Sequence, residues 1–292
     1  MEPVYTSAAR LFTLLFIFTA AAYIGVAASA RDIVIVLRDR KLMLRVLLAN
    51  ILLVPVLGLA LVSAIPLPGG VKAAVMLLAF APGGMNALQF ITKIKGELSF
   101  ASAVLFVLFV VSLVLTPLAA SVFISGGIQA EIPYGRILLD LAWLIFLPLA
   151  AGLAVRTYSP FLGKTVSRPL NLISTAAFAL AVVLSASVKK EAMRGIGPEG
   201  VVVMLALVIG SMIIGWLSGS RETGRKRVLS NTTSCRNAAL CLAIAMAGIP
   251  DRTAVLSILV FQLLTVPANM FFTLYHAIRM RRREHPPSYP AE

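Results

Sequence analysis

Apolar runs long enough to cross a lipid bilayer recur along the whole chain. A spanning helix needs about 20 mainly apolar residues, because the hydrocarbon core is about 30 Å thick and each helical residue rises about 1.5 Å. Short polar or Gly/Pro-containing links separate nine such runs, at 11–36, 42–64, 71–92, 98–123, 137–157, 169–188, 199–219, 228–248 and 253–278. The pattern predicts an all-α membrane protein, a single domain over residues 1–292 with nine transmembrane helices and a polar tail at 279–292.

Composition and charge support this prediction and give the chain an orientation. The sequence is 59% hydrophobic and 13% charged, whereas a soluble domain carries about 25% charged residues. Of the 26 Lys and Arg residues, eighteen fall on one side of the predicted membrane, seven on the other, and the last is Arg236. The positive-inside rule places the N-terminus outside and the C-terminus in the cytoplasm. This distribution explains the net charge of +14 without nucleic acid, and we expect a multi-pass protein of the inner (plasma) membrane of a prokaryote.

A full cation lies deep inside the eighth run. Arg236 belongs to a polar stretch, Asn231–Asn237, in the apolar segment 228–248. An ionisable side chain at that depth costs several kcal/mol unless a partner compensates it, so it is a functional-site hypothesis by default. The alternatives are that Arg236 reaches the cytoplasmic surface with its flexible stem or pairs with a neighbouring acid.

The third run contains a backbone break of its own. Pro82, Gly83 and Gly84 fall near its middle, and Asn86 and Gln89 follow. Proline removes a backbone donor and two glycines favour unwinding. Unwound backbone at that depth is tolerated where it is buried in protein or lines a water-filled cavity, and half-helix N-termini there carry partial positive charge.

The two interrupted runs belong to an internal repeat. Met85-Asn86-Ala87 matches Arg236-Asn237-Ala238 at an offset of 151, and Ala103-Val104-Leu105 matches Ala254-Val255-Leu256 at the same offset. The copies lie five helices apart, so they would enter the membrane from opposite sides. The sequence therefore predicts an inverted-topology repeat in which two broken helices cross at the midplane, as in many secondary transporters.

These motifs resemble the bile acid:sodium symporter family over nearly the whole chain. Pro82-Gly83-Gly84 and the later Lys95-Gly96 carry the resemblance, as does Arg236–Leu240, which stands where the family has Gln-Asn-Ser-Gly-Leu. The resemblance implies a core domain and a panel domain, with an organic anion bound at the crossover and carried by alternating access. The core would contain the segments 42–64, 71–92, 98–123, 199–219, 228–248 and 253–278; the panel would contain 11–36, 137–157 and 169–188.

The departures from the family concern its sodium sites, which use hydroxyl, amide and carboxylate oxygens. Ala87, Leu88, Ala101 and Leu105 stand at family ligand positions, Thr232 replaces the key acid and Arg236 replaces the glutamine. Within the cation-site remnant formed by Asn50, Thr232 and Arg236, only Asn50 is expected to supply a side-chain oxygen as a cation ligand. Arg236 is then interpreted as a fixed substitute for bound sodium, and neither a cofactor nor a protein-bound metal is expected.

The resulting prediction is a secondary transporter of a small organic anion in a lipid bilayer, with sodium coupling in doubt. The predicted substrate-binding residues are Asn86, Gln89, Ser234, Arg236 and Asn237, and the predicted crossover backbone is Pro82, Gly83, Gly84, Thr232 and Thr233. The alternatives are the sodium-coupled symport usual in the family and a non-transporting membrane scaffold. An enzyme is disfavoured because the only histidines, His276 and His285, lie at or beyond the end of the last run. Arsenite efflux is also disfavoured, although Cys235 leaves it open, and the sequence does not indicate an oligomeric state.

Overall fold

The described part of the chain consists of helices joined by short links. A computed structural model describes residues 2–91, 97–123, 139, 141–188, 194–219 and 222–284. Twelve helices lie in these ranges, and we number them in chain order: α1 (Glu2–Ala27), α2 (Ala30–Arg38), α3 (Arg40–Ala64), α4 (Gly69–Ala79), α5 (Ala87–Ile91), α6 (Leu98–Phe123), α7 (Ala142–Tyr158), α8 (Pro160–Val188), α9 (Gly197–Ser218), α10 (Thr223–Ser234), α11 (Ala238–Gly248) and α12 (Arg252–Glu284).

Five helices among the described residues are long and apolar enough to cross a membrane. They are the segments Ser7–Ala27, Arg40–Ala64, Leu98–Val122, Gly197–Ser218 and Arg252–Arg279. Three shorter apolar helices accompany them, namely α4, α7 and α11. The all-helical, membrane-spanning character that the sequence predicted is therefore present, while the count of nine spans stays a prediction.

Several boundaries differ from the sequence prediction. The first run was expected to form one span over 11–36, but α1 ends at Ala27 and residues 30–38 form the separate helix α2. The separation follows from the polar pair Arg31 and Asp32 near the start of α2, which is amphipathic and not uniformly apolar. The last helix continues to Glu284, so the polar tail predicted from residue 279 begins as helix, and residues 285–292 lie outside the described residues.

Two prolines widen the helices that contain them. A π-turn over Ala49–Leu53 comes directly before Val54-Pro55 in α3, and another over Ala142–Phe146 comes before Leu147-Pro148 in α7. Proline lacks an N–H and its ring crowds the carbonyl four residues earlier, so the preceding turn accommodates it by closing over five residues instead of four. The first π-turn matters for the site because it contains the fully buried Asn50.

The three helices that the resemblance assigns to a panel pack against one another. α1 makes its most extensive contacts with α7 and α8, and α7 also contacts α8. Gly25 of α1 and Gly152 of α7 meet at the closest approach, where an added Cβ on Gly25 would lie 2.9 Å from the Leu153 nitrogen and even closer to the Leu149 carbonyl. Small residues of this kind let two membrane helices bring their backbones together. The division into panel and core domains stays a prediction.

We expect Gly25→Ala to destabilise the protein by about 1–3 kcal/mol, because the added methyl forces α1 and α7 apart. The measurement is thermal unfolding of the purified protein in detergent. Gly69→Ala is the matched control, since a Cβ at Gly69 meets nothing within 4 Å. Equal melting temperatures for the two variants would contradict close packing at Gly25.

Candidate functional site

The third and eighth predicted runs are each interrupted, and the two interruptions cross. The first lies between the end of α4 at Ala79 and the start of α5 at Ala87, and the second lies between α10 and α11. Pro82 pairs with Arg236 as an isolated antiparallel bridge. The Gly84 N–H donates to the Cys235 carbonyl at 2.9 Å, and the Asn237 N–H donates to the Ala81 carbonyl at 2.7 Å. Each break thus supplies hydrogen-bond partners for the other's unwound backbone.

Two glycines permit this crossing. Gly83 has φ +92°, a left-handed conformation that residues with a Cβ rarely adopt, and a Cβ there would lie 2.7 Å from the Phe109 nitrogen. A Cβ on Gly84 would lie 2.8 Å from the Cys235 carbonyl oxygen and closer still to that of Arg236. Gly83 and Gly84 are therefore required by the close backbone approach, while the role of Pro82, Gly83 and Gly84 in a transport site stays a prediction.

The guanidinium of Arg236 lies at the centre of the crossing and is completely buried. Its Nε donates to the Leu78 carbonyl at 2.8 Å, and its Nη2 donates to the Ala79 carbonyl at 2.6 Å. Its Nη1 donates to Asn50 Oδ1 at 2.9 Å and to the Thr233 carbonyl at 3.2 Å. Among the described residues, the side chain is not exposed at the protein surface and does not hydrogen-bond to an acid.

The carbonyls that receive these hydrogen bonds are helix C-termini. Leu78 and Ala79 are the last two residues of α4, and Thr233 lies in the last turn of α10. Terminal carbonyls lack intrahelical partners, and each helix C-terminus carries about −0.5 of an elementary charge. One guanidinium thus offsets the negative ends of two half-helices. The N-terminus of α11, which carries about +0.5 of an elementary charge, also lies at the crossing, and no described acidic side chain offsets it.

Asn50 connects the guanidinium to two further elements. Its Nδ2 donates to the Val46 carbonyl at 3.0 Å and to Thr233 Oγ1 at 3.2 Å, while its Oδ1 accepts from Arg236. The π-turn in α3 contains this amide, so α3, α10 and the crossing share one hydrogen-bonded group. Two of the three residues of the predicted cation-site remnant, Asn50 and Arg236, are therefore in direct contact. The Thr232 hydroxyl, the third member, donates to the Leu229 carbonyl of its own helix at 3.3 Å.

Two other predicted site residues are buried and hydrogen-bonded inside the protein. Asn237 caps α11 by accepting from the Leu240 N–H at 3.1 Å, and its Nδ2 donates to Ser112 Oγ at 3.1 Å. The Ser234 hydroxyl donates to Asn269 Oδ1 at 2.8 Å. Both side chains therefore hold the crossing against α6 and α12.

The remaining predicted residues, Asn86 and Gln89, follow the first interruption, and Gln89 contacts α8. Asn86 is half-buried in the turn before α5, and Gln89 is half-buried on α5. Gln89 Nε2 donates to Asn171 Oδ1 of α8 at 3.0 Å. Next to it, the Ser174 hydroxyl lies 3.4 Å from Met85 Sδ. The sequence reasoning missed these α8 residues, whose only signal is polarity inside an apolar run.

A small cavity opens beside the crossing and shows a residue that the sequence reasoning also missed. Its volume of about 10 Å³ matches one water molecule. Arg236, Asn237 and Ala238 form one wall, α1 forms another, and Gln262 of α12 completes it. Gln262 is 2% exposed, and its Oε1 has no hydrogen-bond partner among the described residues. A glutamine inside the apolar run 253–278 is a signal of the same kind as Arg236 in its run.

No group of three or more His, Cys, Asp or Glu residues that could hold a metal is found in the part of the chain that the structure describes. Cys235 and Cys241 are both buried and free of disulfide bonds. The oxygens gathered at the crossing, from Leu78, Ala79, Thr233 and Asn50, are occupied by the guanidinium.

Comparison with known proteins identifies the family. The model of the Sodium Bile acid symporter family matches residues 13–195, more than half of the 292 residues, while no curated protein matches the chain. The chain therefore belongs to this family of membrane transporters and is an integral, multi-pass membrane protein. The match includes the first interruption at Pro82–Gly84 and ends before α10, so the Arg236 segment lies beyond it.

Replacing Arg236 by Met should destabilise the protein severely, because buried acceptors on Leu78, Ala79 and Asn50 each lose a donor at a cost of about 1–3 kcal/mol. Arg236→Lys should recover only part of this stability, since an ammonium cannot reproduce the planar fork. Thermal unfolding in detergent measures both variants, with the exposed Arg252→Met as the control. A melting temperature for Arg236→Met equal to that of the unmodified protein would refute the structural role of the guanidinium.

Proposed function

We propose that this member of the sodium bile acid symporter family is a secondary transporter that carries a small organic anion by alternating access without binding sodium at the crossing. The observation that carries the proposal is the position of the Arg236 guanidinium between the C-termini of α4 and α10. The family supplies the transporter class and the organic-anion substrates.

Arg236 stands where a coupling cation would bind. In transporters with broken helices, unwound carbonyls and half-helix C-termini coordinate the ion. Here four such oxygens surround the guanidinium at 2.6–3.2 Å, three of them carbonyls and the fourth from Asn50. A sodium ion would compete with a covalently attached charge for the same ligands. The same arrangement supports a structural role for Arg236, since its donors are directed at the protein and not at a substrate.

The crossing favours an anion once its negative helix ends are covered. The eleven-residue α11 points its N-terminus at the small cavity, where Ala238 and Ala239 line the wall. A helix N-terminus attracts anions through its dipole, which acts here although the Ala238 and Leu240 N–H groups already donate to the Arg236 carbonyl and to Asn237 Oδ1. Gln262 adds a buried amide to the same cavity, and its NH₂ group is a suitable donor to a carboxylate.

The cavity must enlarge to hold a substrate, and the helices that form its walls indicate which part of the protein would move. Ligand sites measure about 300–1,000 Å³, against about 10 Å³ here. Phe16, Ala20 and Ile24 of α1 form the wall opposite the crossing. Displacement of α1, together with α7 and α8 that pack on it, would open the cavity and break the Gln89–Asn171 hydrogen bond. We therefore assign Gln262, which lines the cavity, as a substrate-contacting side chain, and we keep Asn86 and Gln89, which lie outside its present walls, as residues that contact the substrate once the cavity enlarges.

Helix lengths support a crossing near the bilayer centre. α4 and α11 have 11 residues and α10 has 12, so each rises about 16–18 Å, half of a hydrocarbon core about 30 Å thick. The sequence offset of 151 pairs Gly84 with Cys235, and these two residues share a hydrogen bond. Both observations support the inverted-repeat arrangement.

Uptake of the transported anion should be the same in sodium, potassium and choline media, because the positive charge at the crossing is permanent. The measurement is uptake by purified protein in liposomes, using labelled organic anions that range from small carboxylates to bile acids. The double variant Thr232→Glu with Arg236→Gln rebuilds part of a family cation site and should show lower uptake with some sodium response.

A steep sodium dependence of the unmodified protein would favour the usual symport instead. If no anion of the set enters above the level of protein-free liposomes, the carrier proposal fails and the scaffold alternative takes its place.

Gln262→Leu should leave the melting temperature unchanged or raise it, because the Gln262 Oε1 makes no hydrogen bond to a described residue that would be lost. It should raise the KM for uptake about tenfold, equivalent to about 1.4 kcal/mol and one hydrogen bond to substrate. Ser257→Ala is the matched control, since the Ser257 hydroxyl is also buried and unpartnered among the described residues of α12 but does not line the cavity. A large loss of stability with unchanged KM would show that Gln262 is structural.

A further inference from the structure

A second and larger cavity lies between the N-terminal part of α1, the beginning of α7 and the C-terminal part of α11. Its volume is about 350 Å³, and Arg10, Leu14, Trp143, Leu144 and Met246 are among the residues that line it. We propose that this cavity is a second anion-binding site, in which Arg10 holds an organic monoanion with an apolar body before the anion reaches the crossing. The proposal rests on the carrier function proposed above.

The size and lining of the cavity fit such an anion. Small-molecule sites measure about 300–1,000 Å³ and are mainly apolar with a few polar groups that fix orientation. Here the single charged residue among the described lining residues is Arg10, and the others are apolar or aromatic. A guanidinium offers a planar pair of N–H donors that matches a carboxylate or sulfonate, and Trp143 offers a flat apolar face to the rest of the molecule.

Arg10 is available for a ligand. It is exposed, and the ion pairs of the described residues involve Arg225 and leave Arg10 without an acidic partner. This differs from Arg236, whose donors are engaged by carbonyls and by Asn50. A charge beside apolar walls is less screened than one in open water, which strengthens its attraction for an anion.

The larger cavity and the small cavity at the crossing are lined by the same two helices, α1 and α11. Along α1 the lining residues continue from Arg10 and Leu14 to Phe16, which lines the small cavity. Along α11 they continue from Ala243 to Ala239 in the same way. Phe16 is 3% exposed and packs against Phe178, with ring centroids 5.2 Å apart, so an aromatic pair lies at the start of the small cavity.

The opposite side of the crossing is closed by direct contacts where the described residues of α5 meet α8. There Gln89 donates to Asn171 at 3.0 Å and Ser174 contacts Met85. Among the described residues, the interface between α1, α7, α8 and the crossing thus contains the larger cavity on the Arg10 side and hydrogen bonds on the other. On this proposal, the anion passes from Arg10 to the crossing when the small cavity enlarges.

Tryptophan fluorescence tests the site directly, because Trp143 lines the cavity, is 70% exposed, and is one of two tryptophans. In a Trp216→Phe background, 6-bromohexanoate should quench Trp143 saturably, since bromine quenches on contact. The neutral 6-bromohexan-1-ol has the same chain and should quench only weakly and without saturation. Arg10→Gln should raise the apparent Kd for 6-bromohexanoate at least tenfold.

Lys72→Gln is the matched control, since it removes a cation predicted to lie on the same side of the membrane but does not line the cavity. It should leave the Kd unchanged. Equal quenching by acid and alcohol, or an unchanged Kd in Arg10→Gln, would overturn the proposal. If Trp216→Phe does not fold, thermal unfolding of the protein with both tryptophans replaces fluorescence. The proposal then expects 6-bromohexanoate to raise the melting temperature of the unmodified protein and of Lys72→Gln but not that of Arg10→Gln, and equal shifts in all three proteins would overturn it.

Two further measurements separate a site for a free organic anion from a lipid site and from the carrier function. An anionic lipid headgroup has the same chemistry, so the titration is repeated in nanodiscs of phosphatidylcholine with and without phosphatidylglycerol. An unchanged Kd supports a free organic anion, whereas loss of quenching with phosphatidylglycerol assigns the cavity to lipid and overturns the proposal. Quenching needs no transport, so the two proposals can fail separately. If the protein takes up anions but Arg10→Gln leaves the Kd unchanged, the second site is refuted and the carrier function stands. If Arg10→Gln raises the Kd but no anion is taken up, the carrier function is refuted and the binding site stands.

Discussion

The hydrogen bonds from the Arg236 guanidinium to the carbonyl ends of α4 and α10 are the interaction on which the crossing depends. Burying a cation costs several kcal/mol unless its hydrogen bonds are made, and two helix C-termini without partners would carry their own penalty. Here the guanidinium supplies the donors that the helix ends lack, and the helix ends supply the acceptors that the buried cation needs. This interaction also explains why a glycine stands at position 84, because Gly84 must approach the Cys235 and Arg236 backbone closely for the guanidinium to reach α4.

A covalent cation changes what the crossing can do for transport. A bound ion drives a carrier by binding one conformation better than another, and a group with no such difference shifts no equilibrium. Under the proposed function, Arg236 holds the half-helices together in every conformation and supplies no coupling energy. The driving force then has to come from the anion's own gradient or from an ion that binds elsewhere. The positive potential that remains near α11 favours an anion in each conformation.

The sequence predicted the two helix breaks and the buried cation better than the contacts among them, and their use as a binding site stays a prediction. Arg236 and Pro82–Gly84 were predictable because charge and helix-breaking residues stand out within apolar runs. The acceptors of Arg236 were not, since the carbonyls of Leu78, Ala79 and Thr233 have no sequence signature. Gln262 carried a visible signal but belonged to no motif. The first span was misplaced because hydropathy alone did not register that Arg31 and Asp32 begin a separate amphipathic helix.

The partners of Arg236 also determine which motions the protein can make. Its described hydrogen-bond partners lie on α3, α4 and α10, and none of them lies on α1, α7 or α8. Where the crossing meets α8, the hydrogen bonds join neutral groups: Gln89 Nε2 donates to Asn171 Oδ1 and to Thr175 Oγ1, and the Ser174 hydroxyl donates to Met85 Sδ. Under the proposed function, α1, α7 and α8 would move as a group and break contacts between neutral groups, while the buried charge would keep its hydrogen bonds. A motion that instead separated α4 from α10 would expose the guanidinium and two helix ends together, so under the same proposal the chemistry of Arg236 favours movement of α1, α7 and α8 over rearrangement of the crossing.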